Sequence, residues 1–152
     1  MPAPKMVADN RKARFNYFID DTVEAGIALL GTEVKSLREG RADISEAYVQ
    51  ERGGELYLLN AYIHEYSSGN RFNHDSRRMR KLLVHRRQLN QFMGAVKKAG
   101  VTIVPLKLYF NERGLVKCLI GLARGKAKHD KRASIKDRDW QRDKARILRD
   151  RG

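Results

Sequence analysis

With 152 residues, of which 41% are hydrophobic, the chain is long enough for one domain with a packed core, which excludes a wholly disordered protein. Lysine and arginine number 32 against 18 aspartate and glutamate, and the formal net charge of +14 favours a polyanionic partner, nucleic acid before a membrane surface, over a role in solubility alone. The single cysteine excludes an intrachain disulfide, and no apolar run has the length of a signal-peptide core or a membrane span, so a cytoplasmic protein is expected.

The first third of the chain predicts a lead segment, a hairpin and a short helix. Residues 1–10 contain two prolines and no clear periodicity, so we expect a flexible N-terminal lead. Apolar alternation over 14–19 and again over 23–29 predicts two strands, with a turn at the polar residues 20–22. A helix of about two turns is expected over 32–40, where a threonine precedes it and a glycine ends it.

The rest of the chain up to residue 124 predicts two further hairpins around a second helix. Glycines at 53 and 54 mark the turn of a hairpin over 44–63, and 65–80 is predicted to be a long exposed loop rich in arginine. His85, with a glutamine three residues later, predicts the start of a helix that ends at Gly100. The last hairpin is expected over 103–123.

Three hairpins predict a mainly β fold with short helices. They supply about six antiparallel strands, and a closed or nearly closed barrel is favoured because closure removes exposed strand edges. The barrel domain is assigned to residues 11–124. Residues 125–152 differ, since they carry eleven lysines and arginines against five aspartates and have few apolar side chains. We expect a basic C-terminal tail that is disordered when free and becomes helical once a partner supplies packing.

The sequence contains no catalytic constellation. Asp20 and Asp21 are neighbours whose side chains diverge in a turn, and Cys118 alternates with apolar residues as a core thiol does. The four histidines are scattered without metal-ligand spacing. A binding protein without cofactor or metal is therefore predicted. A nuclease or an RNA-modifying enzyme would need a metal site or a nucleophile, and neither is found.

The features that favour nucleic acid are cations, aromatic rings and one carboxylate. Glu24 lies on an otherwise apolar strand, where it either pairs with a cation or accepts hydrogen bonds from RNA. Clustered cations can neutralise phosphates, and aromatic rings can stack on bases, although core packing is the commoner role of any one ring. The cations are Arg71, Arg77, Arg78, Arg80, Lys81, Arg86 and Arg87, and the rings are Tyr17, Phe18, Tyr62, Tyr66 and Phe72.

Several segments, in order from Asn10 to Arg151, closely resemble the small protein B family, the SsrA-binding proteins that are partners of bacterial transfer-messenger RNA (tmRNA). The central match is the run GTEVKSLREGRA at 31–42, preceded by AGI at 25–27. The other matching segments are RKLL at 80–83, PLKLYF at 105–110, GKAKHDKR at 125–132, DW at 139–140 and KARIL at 144–148.

The resemblance implies an antiparallel six-stranded barrel of oligonucleotide-binding type with two or three flanking helices. It also implies a function in bacterial ribosome rescue by trans-translation, in which a monomer binds the tRNA-like domain of tmRNA and delivers it to stalled ribosomes. Glu24, Leu83 and His85 lie at positions that match RNA-binding residues of the family. The predicted set of contacts with the tRNA-like domain also includes Lys35, Arg38, Arg80 and Lys81. At position 85 some members of the family have asparagine.

The resemblance gives the tail a second role, on the ribosome. His129, Asp130, Lys131 and Arg132 are expected near the decoding centre of the small subunit, and Trp140, Ile147 and Leu148 in the empty mRNA channel. Composition and strand pattern alone leave one alternative open, a general RNA-binding or ribosomal-protein-like module of oligonucleotide-binding fold without a rescue role.

Overall fold

The computed structural model describes residues 5–66, 73–98 and 100–126. Within these ranges the helices are α1 (Arg11–Asn16), α2 (Gly31–Arg38) and α3 (Arg86–Val96). The strands there are β1 (Lys5–Asp9), β2 (Tyr17–Ile27), β3 (Ala42–Asp43), β4 (Tyr48–Arg52), β5 (Glu55–Leu59), β6 (Tyr62–Ile63), β7 (Arg80–Leu83), β8 (Val101–Phe110) and β9 (Val116–Gly125).

Seven of these strands form one antiparallel sheet in the order β1-β8-β9-β2-β7-β5-β4, and β3 and β6 form a separate pair. The sheet curls, so that Cα atoms of β4 come within 8 Å of β8. Its edge strands, β1 and β4, are not joined by a ladder in the described ranges, and the barrel is therefore open. The prediction of a mainly β, antiparallel fold with short helices is confirmed, with one strand more in the sheet than expected.

The N-terminal part differs from the expectation. Residues 5–9, expected in a flexible lead, form β1 because they pair with β8 at the other end of the domain. The strand expected from residue 14 is preceded by α1, which Asn10 caps by accepting a hydrogen bond from Ala13 N at 3.1 Å. The expected turn at 20–22 is instead a β-bulge within the continuous strand β2, paired with β9.

Two of the predicted hairpins have glycine in their turns. Gly53 and Gly54, with φ of 59° and 81°, join β4 to β5, and Gly114, with φ of 77°, lies in the turn between β8 and β9. The backbone N–H of His85 donates to Gln88 Oε1 at 3.4 Å as α3 begins. These hairpins and this helix are confirmed.

Two apolar clusters pack on opposite faces of the sheet. The larger one, on the inner face, includes Leu37 of α2 and Phe92 of α3. The smaller one lies on the outer face, where Ala13 of α1 packs on Val104, Leu106 and Ala123. Helix α1 therefore covers one end of the outer face and leaves the other end open to solvent.

Candidate nucleic-acid interface

The uncovered end of the outer face brings together residues from four adjacent strands. Glu24 on β2 is followed two residues later by Gly26, which pairs with Leu83 of β7 on one side and Lys117 of β9 on the other. Because every second residue of a strand points to the same face, these positions all face outward. We call this surface the open face and define it by Glu24, Lys81, Leu83, Tyr109 and Lys117.

Glu24 is an exposed carboxylate at the rim of a pocket of about 380 Å³. Its Oε2 accepts a hydrogen bond from the Tyr109 hydroxyl. Arg113 and Lys117 line the same pocket, yet the described part of the chain places no cation within 4.0 Å of the Glu24 carboxylate. The interpretation of Glu24 as one half of an ion pair is therefore not supported, and among the described residues only Tyr109 forms a hydrogen bond with this exposed carboxylate, at Oε2.

Leu83 is 52% exposed, an unusual position for a leucine on a sheet. Gly26 lies opposite, and a Cβ at Gly26 would be 3.3 Å from the Leu83 Cβ, so the glycine makes room for the leucine. Leu115, also exposed, lies with Leu83 along a groove of about 440 Å³ whose lining includes Arg38 and Lys117. An apolar groove with cations at its border suits a nucleotide, which combines an apolar base with a charged phosphate.

The remaining predicted contacts divide by location. Lys81 is half-buried and points to the same face as Leu83, while Arg38 of α2 lines the groove. Lys35, also on α2, is exposed with its ammonium 5.6 Å from the centre of the Tyr66 ring, and His85 is exposed at the start of α3. The structure thus brings Glu24, Leu83, Arg38 and Lys81 to one surface and leaves His85 and Lys35 outside its two pockets. The RNA-binding roles of all of them stay predictions.

Comparison with known proteins decides the family. The family model described as "SmpB protein" matches residues 7–150. An "SsrA-binding protein" of Methylobacterium sp. (strain 4-46) is 64% identical over 151 residues, which is 99% of this chain and 96% of the relative. The chain belongs to the SmpB family. This membership confirms the resemblance seen in the sequence and the prediction of a binding protein rather than an enzyme.

Further relatives agree. An "SsrA-binding protein" of Rhodopseudomonas palustris (strain HaA2) is 62% identical over 150 residues, covering 99% of this chain and 96% of the relative. A solved structure described as "tmRNA-SmpB: a journey to the center of the bacterial ribosome" aligns with a TM-score of 0.66 at 51% identity. It covers 84% of this chain and 92% of that chain, so the open face described above lies on an SmpB fold.

One residue of the predicted RNA-binding set lies in the interior of this SmpB fold. Arg80 is fully buried, and its Nε donates to Glu33 Oε2 at 2.5 Å. Its other nitrogens donate to the backbone carbonyls of Ala61, Asp75 and Ser76. The guanidinium is thereby satisfied inside the protein, and the expectation that Arg80 contacts RNA directly is corrected.

Within the described part of the cationic segment 65–80, residues 65–66 and 73–80, two arginines are less exposed than the sequence suggested, Arg78 and Arg80. Its last residue begins β7, and Arg78 Nη2 donates to Glu33 Oε1 at 2.7 Å. Arg77 lies 5.1 Å from the centre of the Tyr62 ring and donates to Asn60 Oδ1 at 2.7 Å. Arg77 and Arg78 therefore both have partners within the protein, whereas Arg71 and Phe72 lie outside the described residues.

Other aromatic candidates are held by the fold as well. Tyr17 packs against the smaller apolar cluster, and the partly exposed ring of Phe18 has Arg124 and Lys126 at 5.5 and 5.1 Å from its centre. Sequence reasoning missed three residues of the surface, Tyr109, Leu115 and Lys117. The alternation of β8 would have placed Tyr109 on the face of Lys107, opposite the buried Leu108, but nothing in the sequence linked it to Glu24.

The one cysteine is a core residue. Cys118 is completely buried, and burial raises the pKa of its thiol to about 12, as expected for a core cysteine. Across 5–66, 73–98 and 100–126, no three histidine, cysteine or acidic side chains group as metal ligands. In the same ranges no helix has the length and apolar character needed to cross a bilayer.

Proposed function

We propose that this chain binds the tRNA-like domain of tmRNA and delivers it to stalled ribosomes for trans-translation. One observation carries the proposal: relatives that match 99% of the chain at more than 60% identity are SsrA-binding proteins. The solved structure that resembles it concerns SmpB with tmRNA in the bacterial ribosome. A cytoplasmic location and a monomeric state belong to the same proposal.

The open face supplies suitable chemistry for a structured RNA. Arg38 and Lys117 at the border of the groove are placed to neutralise phosphates, and the exposed leucines offer an apolar surface to an unpaired base. Glu24 adds what a purely basic surface lacks, an acceptor for base N–H or ribose 2′-OH donors. Selectivity for one RNA would come from such aimed polar groups, since phosphate contacts carry no sequence information.

The second part of the proposal concerns the C-terminal tail, residues 125–152, which would bind the ribosome. His129, Asp130, Lys131 and Arg132 would lie at the decoding centre, and Trp140, Ile147 and Leu148 in the mRNA channel; all lie outside the described residues. This part of the proposal is supported by the composition of the tail. A basic segment with few apolar residues is expected to become ordered only when it binds a partner such as rRNA, whose phosphates neutralise its charge. A channel that holds mRNA would exclude the tail sterically, so the tail would report that mRNA is absent.

The deciding experiment is competition for the purified full-length protein. Labelled tRNA-like domain is bound at near-physiological salt and displaced by unlabelled tRNA-like domain, bulk tRNA or single-stranded RNA. We expect the cognate domain to compete at least about tenfold better, and log K to fall with log salt at a slope of roughly −4 to −5 if about six phosphates are neutralised. Equal competition by bulk tRNA would favour the general RNA-binding module instead.

Reversal of one charge tests the open face. Glu24→Lys should weaken binding of the tRNA-like domain by about 10- to 100-fold although it adds positive charge, because a hydrogen bond from RNA to a carboxylate is lost. The matched control is Glu112→Lys, at the exposed turn that lines the same pocket. That control should bind equally or slightly more tightly. Equal or tighter binding by Glu24→Lys would show that non-specific electrostatics dominate at this surface.

A further inference from the structure

The contact between Tyr109 and Glu24 spans three strands of the sheet. Tyr109 on β8 pairs with Lys117 of β9, whereas Glu24 on β2 pairs with Leu119, the next outward residue of β9. The phenol therefore reaches diagonally across β9 to donate its hydroxyl to Glu24 Oε2. Its ring is half-buried while the carboxylate it holds is exposed.

The partner of Glu24 is a neutral phenol rather than a cation. A lysine or arginine in its place would neutralise the carboxylate, but a phenol fixes one oxygen without cancelling the charge. Burial, with the hydrogen bond to Glu24, raises the pKa of the Tyr109 hydroxyl above its ordinary value, so the group remains a donor throughout the physiological range. Arg113 and Lys117, which line the same pocket, are not within ion-pair distance of Glu24 in the described structure.

We propose that Tyr109 is a positioning residue for RNA recognition, which holds Glu24 Oε2 so that the charged carboxylate presents Oε1 to donors of the RNA. The inference rests on the proposed function and assigns a role to a residue that does not itself need to contact RNA. A glutamate on a strand surface has several open rotamers, and ordering them only on binding would weaken affinity. The tyrosine orders the side chain before the RNA arrives.

The test is a double-mutant cycle on binding of the tRNA-like domain. Tyr109→Phe removes only the hydroxyl, and we expect about 3- to 10-fold weaker binding with an unchanged salt slope, since no phosphate contact is lost. In a Glu24→Ala background the same substitution should change affinity by less than about twofold. The control is Tyr48→Phe, at an exposed tyrosine on edge strand β4, which should bind like the unsubstituted protein.

The outcomes separate this inference from the proposal beneath it. Wild-type affinity in Tyr109→Phe, together with weak binding by Glu24→Ala, would overturn the positioning role and leave the proposed function standing. If Tyr109→Phe lowered RNA affinity equally in the unsubstituted protein and in the Glu24→Ala background, the positioning role would also be overturned. The tyrosine would then act on RNA or on the fold independently of Glu24. If the unsubstituted protein shows no preference for the tRNA-like domain, the proposed function fails and this inference with it.

Discussion

Glu33→Gln should lower the free energy of unfolding by about 3–5 kcal/mol, because it leaves a buried cation without its counterion. Glu33 is completely buried, with Arg80 Nε at 2.5 Å from one oxygen and Arg78 Nη2 at 2.7 Å from the other. The amide of glutamine carries no charge and turns an N–H group toward one of the two guanidiniums. Arg80 is then a buried cation without a counterion, which is far more costly than an intact pair is stabilising.

The matched control is the same substitution at an exposed pair. Glu46 accepts a hydrogen bond from Lys12 at 2.8 Å, but both side chains are more than half exposed. Solvent screens such a pair, so Glu46→Gln should leave the urea midpoint almost unchanged. Urea or thermal unfolding followed by circular dichroism measures both variants. A midpoint for Glu33→Gln that matches the control would contradict a stabilising role for the buried network.

Acidification should reduce the difference in free energy of unfolding between Glu33→Gln and the unsubstituted protein. Burial alone would raise the pKa of Glu33, but hydrogen bonds from Arg78 and the Leu30 N–H, with the charge of Arg80, outweigh it and lower the pKa below its ordinary 4.5. A carboxylate with a lowered pKa in the folded state stabilises fully above its unfolded pKa, and that contribution is lost as pH falls through the folded value. The free energies of unfolding of the two proteins should therefore begin to converge below about pH 4.5, and they should meet only once the pH is below the folded pKa of Glu33.

The sequence predicted those turns and helix ends that depend on residues close together in the chain. Gly53 and Gly54 predicted a hairpin turn, and the glutamine after His85 predicted the start of α3, because each signal acts within four residues. The strand β1 was not predicted, because the residues with which it pairs lie about a hundred positions away in β8. Helix α1 has six residues, too few to be stable without packing from the smaller apolar cluster.

The surface was predicted only in part for a related reason. Glu24 was recognised as an exposed acid on an apolar strand, and Leu83 came from family resemblance, but Tyr109 is 85 positions from Glu24. Arg80 is named among the cations predicted to bind RNA, but it is buried against Glu33, which is 47 positions away in the sequence. Charge composition identified the class of ligand, whereas the tertiary pairing of charges determined which cations face it.

Deletion of residues 130–152 should abolish peptide tagging on stalled ribosomes while binding of the tRNA-like domain stays within about threefold of the full chain. The open face lies between residues 24 and 117, so the deletion removes none of its contacts. The deleted segment holds nine lysines and arginines against five aspartates, and its loss should reduce non-specific RNA affinity and flatten the salt slope. In vitro translation on mRNA without a stop codon measures tagging, and filter binding measures affinity.

A charge-preserving variant separates packing from electrostatics in the same segment. Trp140, Ile147 and Leu148 changed together to alanine keep every cation, so RNA affinity and its salt slope should match the full chain. Tagging should still fall by at least about tenfold, because a tail without apolar anchors cannot gain enough from the channel to offset the entropy of becoming ordered. Full tagging by this variant would mean that charge alone carries the tail into the ribosome, and a collapse of RNA affinity on deletion would mean that face and tail are one binding unit.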